Sequence, residues 1–286
     1  MSRNSGESPM PTSLAQTDTA AGQTRWKSHE EPPLTRETFE ALCAFEIPCL
    51  RIKGFATDAE CDELVAAMDR VGLNKTYKVP GLVQPPRYVG LTQFEKRQES
   101  KEAYFAEVEQ AWREHEAVLS HMRWNPFERM WALMRDLYPE HSLTLAEEPG
   151  YGRYYAGIIR ETSGGGTLHA DVTMYSARDY MISQVASQIT WNFFASHVEG
   201  EGGKTTLHNR PYRVQTAPGG KVEIEGFSRA YVDGAETHIY TPAKGDVVMF
   251  NSHNPHEWTA VEQGQRRMGV STYIGRMPDG DFIYWS

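Results

Sequence analysis

Cysteine is scarce: three occur in 286 residues, namely Cys43, Cys49 and Cys61, and none stands in a CxxC spacing. That excludes a disulfide framework or a zinc ribbon and points to a reducing cytosol. Long apolar runs are missing too. None approaches the roughly 18 to 20 residues that cross a bilayer, and the opening stretch lacks the uninterrupted apolar core of a secretion signal. A soluble, unexported, cytoplasmic protein without a membrane partner is expected. A basic excess is also absent. With 38 acidic against 29 basic residues and a net charge of -9, neither a nucleic acid duplex nor an anionic membrane is the main partner, because both reward clustered Lys and Arg. One or two arginines would still serve a mononucleotide.

What is present suffices for a sizeable core, since 40% of residues are hydrophobic. Residues 1–33 are rich in Ser, Thr, Gly, Gln and Glu with several prolines, cannot bury enough surface to offset chain entropy, and read as a disordered tail. Residues 34–286 read as a single domain. Phe45 to Phe55 reads as a short strand and turn. Thr57 with Glu60 has the spacing of a capping box, and Cys61, Leu64, Val65, Met68 and Val71 follow on one helical face. Val79 to Gln93, with four Pro and Gly residues by position 86, reads as an irregular loop that could cover a site. Helices are expected over about Ser100 to Met122 and Pro126 to Leu137, the second capped by Asn125 with Pro126 at its first position. Its Met and Trp read as core.

After Pro149 the texture changes to short β-branched and aromatic runs: Tyr154 to Arg160, Ser187 to Phe194, Thr205 to His208, Val222 to Ile224, His238 to Tyr240, Asp246 to Asn251 and Met268 to Ile274. Helical support over about 34–148 followed by strands over about 149–286 makes the class α+β, with an antiparallel sandwich or barrel braced by the N-terminal helices.

Three segments carry candidate chemistry. In an extended segment side chains alternate, so His169 and Asp171 face the same way and can grip one ion together. A third ligand from a distant strand would complete a two-His, one-carboxylate face with open positions, the arrangement that suits non-haem Fe(II). Composition alone yields about 0.4 H-x-D triplets by chance, so the weight lies in the order. A turn of Gly164, Gly165 and Gly166 delivers the triplet, and much later the run from Gly245 to Phe250 delivers a strand ending near His256. His253 competes with His256; Pro255, which fixes the local backbone, and the apolar pattern resuming at Trp258 favour His256. The bland alternative for the pair is a hydrogen-bonded surface turn.

Arg266 and Arg267 face opposite sides. Arg266 shares its side with Met268, Val270 and Ile274, whereas Arg267 shares with Gly269, Ser271 and Tyr273, fitter for a lined cavity. A guanidinium there could take a carboxylate bidentately. Arg97, Arg153 and Arg160 are further candidates for a substrate carboxylate or phosphate, with solvated surface charge as the alternative.

His169-x-Asp171, His256 and the following Arg267 resemble the Fe(II)- and 2-oxoglutarate-dependent oxygenases. The likeness runs from about Tyr151 to the C-terminus, and Glu201-Gly202-Gly203-Lys204-Thr205-Thr206-Leu207 is similar to that family's turn into an inner strand. More narrowly, AEEPGYGRYYAGIIRETSGG and STYIGRMPDG resemble bacterial hydroxylases of free or N-succinylated aliphatic amino acids. The resemblance implies a double-stranded β-helix (jelly-roll, cupin-like) core, Fe(2+) held by His169, Asp171 and His256, 2-oxoglutarate as cosubstrate with Arg267 on its far carboxylate, O2, and ascorbate as a supporting reductant. Related halogenases carry Gly or Ala where Asp171 stands, so hydroxylation is implied. The substrate would be a small carboxylate-bearing molecule. A nucleotide or natural-product oxygenase, or a non-catalytic jelly-roll metabolite-binding protein, is the alternative; a homodimer stays open.

Overall fold

The computed structural model describes residues 26–72, 75–76, 86–96, 99–196, 198, 200–212 and 229–286. The strand expected at Val222 to Ile224 and the candidate Arg97 lie outside them. Helices dominate the first half and antiparallel sheets the second. No helix among the described residues is long and apolar enough to cross a membrane.

The larger sheet runs, in hydrogen-bonded order, Leu50–Ile52, Val247–Asn251, Ser187–Phe194, Met268–Arg276, Ile158–Glu161, Arg87–Val89 and Lys75–Thr76. Phe282–Trp285 joins Met268–Arg276 antiparallel and pairs in parallel with Leu143–Leu145, the one parallel pair among the described strands. The smaller sheet runs Thr237–Tyr240, Thr205–His208, His256–Trp258, Gly166–His169, all antiparallel.

Period-two alternation decides what each face of the larger sheet does. Ile189, Trp191, Phe193, Val247, Met249, Met268, Val270 and Ile274 pack with Phe39, Leu64, Met68, Phe127 and Met130 of the helices. Their neighbours Phe194, Val248 and Phe250 pack instead with Leu207 and Tyr240 of the smaller sheet. The helices bracing the outer face are capped as their sequences require. Thr57 and Glu60 form a reciprocal capping box at the start of Asp58–Val71, and Asn125 accepts from the Phe127 and Glu128 amides at Pro126–Leu137.

Several expectations need correction. Residues 26–33 are not part of a disordered tail: Trp26 is buried against Cys49, Phe194 and Tyr240, and Pro32 accepts a hydrogen bond from the Arg51 amide. Between Phe45 and Phe55 only Leu50–Ile52 is strand. The strand expected from Tyr154 starts at Ile158. Gly157, at φ +88°, interrupts it and leaves room for the Phe127 ring, which a Cβ would approach to 2.0 Å. The Pro-rich loop contains a strand, Arg87–Val89, paired with Ile158–Glu161 on one side and Lys75–Thr76 on the other.

Candidate metal centre

His169 ends one strand of the smaller sheet and His256 opens the next, so the two are direct cross-strand partners. The run Val247–Asn251 does not itself end at His256, as the sequence suggested. A turn over 252–255 intervenes and reverses the chain into the second sheet. Cross-strand pairing brings the imidazole centroids to 4.2 Å. Asp171 follows two residues after His169. Its amide donates to the Ser252 carbonyl at 3.0 Å, and the Ser252 hydroxyl donates to the Asp171 carbonyl at 2.8 Å, which fastens the carboxylate-bearing segment to the 252–255 turn.

The ligating atoms converge. Asp171 Oδ2 lies 3.5 Å from His256 Nε2 and 4.0 Å from His169 Nε2, and the donor atoms of the three residues all fall within 4.8 Å of one another. Each ring's other nitrogen is committed: His169 Nδ1 to the Thr167 carbonyl at 2.7 Å, His256 Nδ1 to the Asn254 carbonyl at 3.0 Å. A carbonyl only accepts, so both Nδ1 atoms carry the proton in the neutral rings and both Nε2 lone pairs face Asp171, the tautomer a metal ligand needs. Side-chain exposure falls from His169 (23%) through Asp171 (18%) to His256 (6%), which places the open flank on the His169–Asp171 side. His253 is not part of this group and packs on Phe45.

Electrostatics favour a cation here. Burial, with the His256 ring adding, holds His169 down to about 4, so the ring is neutral at ordinary pH. Burial pushes the Asp171 carboxyl up, but its contacts with His256 and His169 and the hydrogen bond from the Tyr273 hydroxyl outweigh it and leave it well below the usual carboxylate range. A desolvated carboxylate beside the neutral His169 ring lacks a full counter-charge there. Two imidazole nitrogens and one carboxylate with an open side match the donor set of non-haem Fe(II).

The arginine pair separates as alternation requires. Arg266 is saturated by Asp69, at 2.9 and 2.7 Å, and by Glu161 at 2.7 Å. Arg267 has no carboxylate partner among the described residues. It donates to the hydroxyls of Thr162 at 3.0 Å and Thr205 at 3.4 Å, its Nε is buried without a partner, and its guanidinium lies over Phe194 and Trp258. Burial lowers it to about 10. Trp258 reaches this position because Gly166 opposite it has no Cβ, which would otherwise meet the indole at 2.3 Å.

Arg160 sits on the inner side of Ile158–Glu161, opposite Ile159, which packs on the helices. Its charge acts on both His169 and Arg267. Arg153 does not join the site: it pairs with Glu109 at 3.0 Å and covers Trp112 on the helix Lys101–Leu119. Sequence reasoning missed the Thr162 and Thr205 hydroxyls and Gln188, although strict alternation through Ser187–Phe194 puts Gln188 on the inner face.

No family model matches the chain. It is 29% identical over 210 residues, 71% of its length and 85% of the relative's, to leucinostatins biosynthesis cluster protein S of Purpureocillium lilacinum. It is 27% identical over 133 residues to the L-gamma-glutamyl-L-propargylglycine hydroxylase of Streptantibioticus cattleyicolor, matching 46% of this chain and 48% of that protein. Among solved structures it is similar to an N-substituted L-amino acid dioxygenase from Burkholderia ambifaria, with a TM-score of 0.52 at 17% identity over 88% of this chain and 91% of that one; that enzyme has also been solved with alpha-KG. The likeness to Fe(II)- and 2-oxoglutarate-dependent oxygenases is thereby borne out.

Proposed function

We propose that the protein is an Fe(II)- and 2-oxoglutarate-dependent hydroxylase of a small carboxylate-bearing molecule, an amino acid or its N-acyl derivative. The single observation that carries this reading is a pair of unmet buried charges. Asp171 with its two imidazoles lacks a cation, and Arg267 lacks an anion. Fe(II) and a dicarboxylate bridging from the metal to Arg267 would satisfy both. In this reading the two antiparallel sheets form the double-stranded β-helix of such enzymes. The helices over about 34–148 brace it within one catalytic domain.

Bound Fe(II) supplies the redox chemistry that couples O2 reduction and decarboxylation of 2-oxoglutarate to succinate with hydroxylation of a substrate C–H bond. The chain's own residues do the rest. His169 and His256 present Nε2 while Thr167 and Asn254 hold their other protons. Tyr273 and Ser252 hold Asp171 in place. With Asp171 present, the chain would hold the metal through a carboxylate where a halogenase would need room for halide, which favours hydroxylation over halogenation. Thr162 and Thr205 aim the Arg267 guanidinium, and Phe194 and Trp258 exclude water around it so that its attraction for a carboxylate is weakly screened. Arg160 offers a second cation, suited to the substrate's own carboxylate. A γ-glutamyl amino acid and an N-substituted L-amino acid in the names of two similar proteins support the substrate class.

The test is incubation with Fe(II), ascorbate, 2-oxoglutarate and a panel of free and N-acylated amino acids. Succinate should form together with a product heavier by one oxygen, and His169→Ala should eliminate both. Undiminished turnover in that variant would contradict the assignment.

A further inference from the structure

Beside Asp171 lies a cavity whose walls include Gln93, Gln188, Tyr273 and Trp285. Its free space is about 20 Å³, room for one or two water-sized groups. Gln188 is fully buried. Its Oε1 accepts the Thr173 amide at 3.0 Å and stands 2.8 Å from the Thr173 hydroxyl. A backbone N–H can only donate, so this contact fixes which end of the side-chain amide is oxygen. The Nε2 end is left with no partner. Gln93, 2% exposed, also lines the cavity and turns its side-chain amide towards the Tyr180 hydroxyl. Buried donors without an acceptor are costly and rare, so an acceptor from outside the chain belongs in this cavity.

The acceptor's charge follows from the walls. Among the described residues lining the cavity none is Lys, Arg or His, and one is the Asp171 carboxylate. An anion would be desolvated there beside a like charge; a neutral carbonyl would not. We infer that Gln188 is a specificity-determining donor to a neutral substrate carbonyl, the amide carbonyl of an N-acylated amino acid or dipeptide, which a free amino acid does not possess. The inference rests on the hydroxylase reading and narrows it, leaving the substrate carboxylate to Arg160.

The experiment uses the full-length protein loaded with Mn(II) and 2-oxoglutarate, so that no turnover intervenes. It is titrated calorimetrically with one aliphatic L-amino acid in γ-glutamyl, N-acetyl and free form. The unaltered protein should bind an acylated form at least about tenfold more tightly than the free one. Gln188→Glu keeps an oxygen towards Thr173 but replaces the N–H donors by an acceptor, and should erase that preference while 2-oxoglutarate still binds. If this variant no longer takes up 2-oxoglutarate, Gln188→Met is judged by the same criterion. A preference that survives these substitutions means that Nε2 faces only a buried water, and overturns the inference. So does an unaltered protein that takes up 2-oxoglutarate yet binds none of the three, or binds the free form equally well. Failure to take up 2-oxoglutarate at all would instead sink the hydroxylase reading.

Discussion

The two faces of the strand Ser187–Phe194 are built for different ends. Ile189, Trp191 and Phe193 lie in an apolar cluster with the bracing helices. Gln188, Thr190 and Asn192 alternate with them on the side of the metal-centre residues, where Gln188 Nε2, Thr190 Oγ1 and the neighbouring Arg267 Nε are all buried without partners. The outer face has its own unpartnered polar atoms, but they are the indole N–H groups of Trp131 and Trp191, attached to rings whose burial is the point of their position. The inner orphans belong to a guanidinium, an amide and a hydroxyl, groups that gain nothing from burial alone. One face stores stability; the other holds polarity in reserve for ligands.

Substitutions should separate the two faces. Asp171→Ala is expected to abolish Fe(II) retention and to drop succinate formation to background, measured by metal analysis and by product assay. Trp191→Ala, on the face packed against the helices, should instead cost roughly 3 to 5 kcal/mol of folding stability through the cavity it leaves, read by denaturant titration. An Asp171→Ala variant with full metal content would erase the distinction. The adjacent arginines sharpen the same contrast. Arg267→Met should weaken 2-oxoglutarate binding by about a hundredfold, the loss of a charge-assisted bidentate contact. Arg266→Met should leave that binding within about twofold and cost on the order of 1 kcal/mol of stability, because its partly exposed bridges are screened and Glu161 retains Arg87 at 2.8 Å.

Arg160→Gln should raise the dissociation constant of the substrate by about tenfold without altering that of 2-oxoglutarate; equal effects on both would move Arg160 into the cosubstrate site. A last effect is a dependence on pH that both regions share. Burial holds His115, beneath the helices, and His169 and His253, in the inner region, down to about 4. Their unfolded forms take up protons near 6.5, so the unfolded metal-free chain binds more protons than the folded one between about pH 6.5 and 4. Stability is therefore complete above that window and falls as pH drops through it, by up to about 1.4 kcal/mol per pH unit for each histidine. Denaturant midpoints at pH 7.5 and 5 check this; equal midpoints would contradict it.

Much of this was legible in the sequence because it is local. The Thr57–Glu60 box, the Asn125–Pro126 helix start and the strand Ser187–Phe194 depend on residues a few positions apart. The shared side of His169 and Asp171, and the division between Arg266 and Arg267, follow from period-two alternation. What was hidden is tertiary. Trp26 and Glu31 sit in a polar, Pro-bearing segment, yet dock on Tyr240 and on Arg51; no local pattern announces that. Arg87–Val89 is a strand because Ile158–Glu161 and Lys75–Thr76 pair with its two sides, which the prolines just before it do not announce. Arg153 and Arg160 look alike along the chain, and only the pairing of Glu147–Glu148 with Gly152–Arg153 carries the first away to Glu109.

The central claim is that Asp171 with its histidines and Arg267 are two halves of one receptor, for a metal and for the far end of a dicarboxylate. Anaerobic titration of the purified protein with Fe(II) and then 2-oxoglutarate tests it most directly. A weak visible charge-transfer absorption should grow to one equivalent, should be absent in Asp171→Ala, and should require far more 2-oxoglutarate in Arg267→Met. No absorption in the unaltered protein, or an unchanged titration in Arg267→Met, would contradict the account.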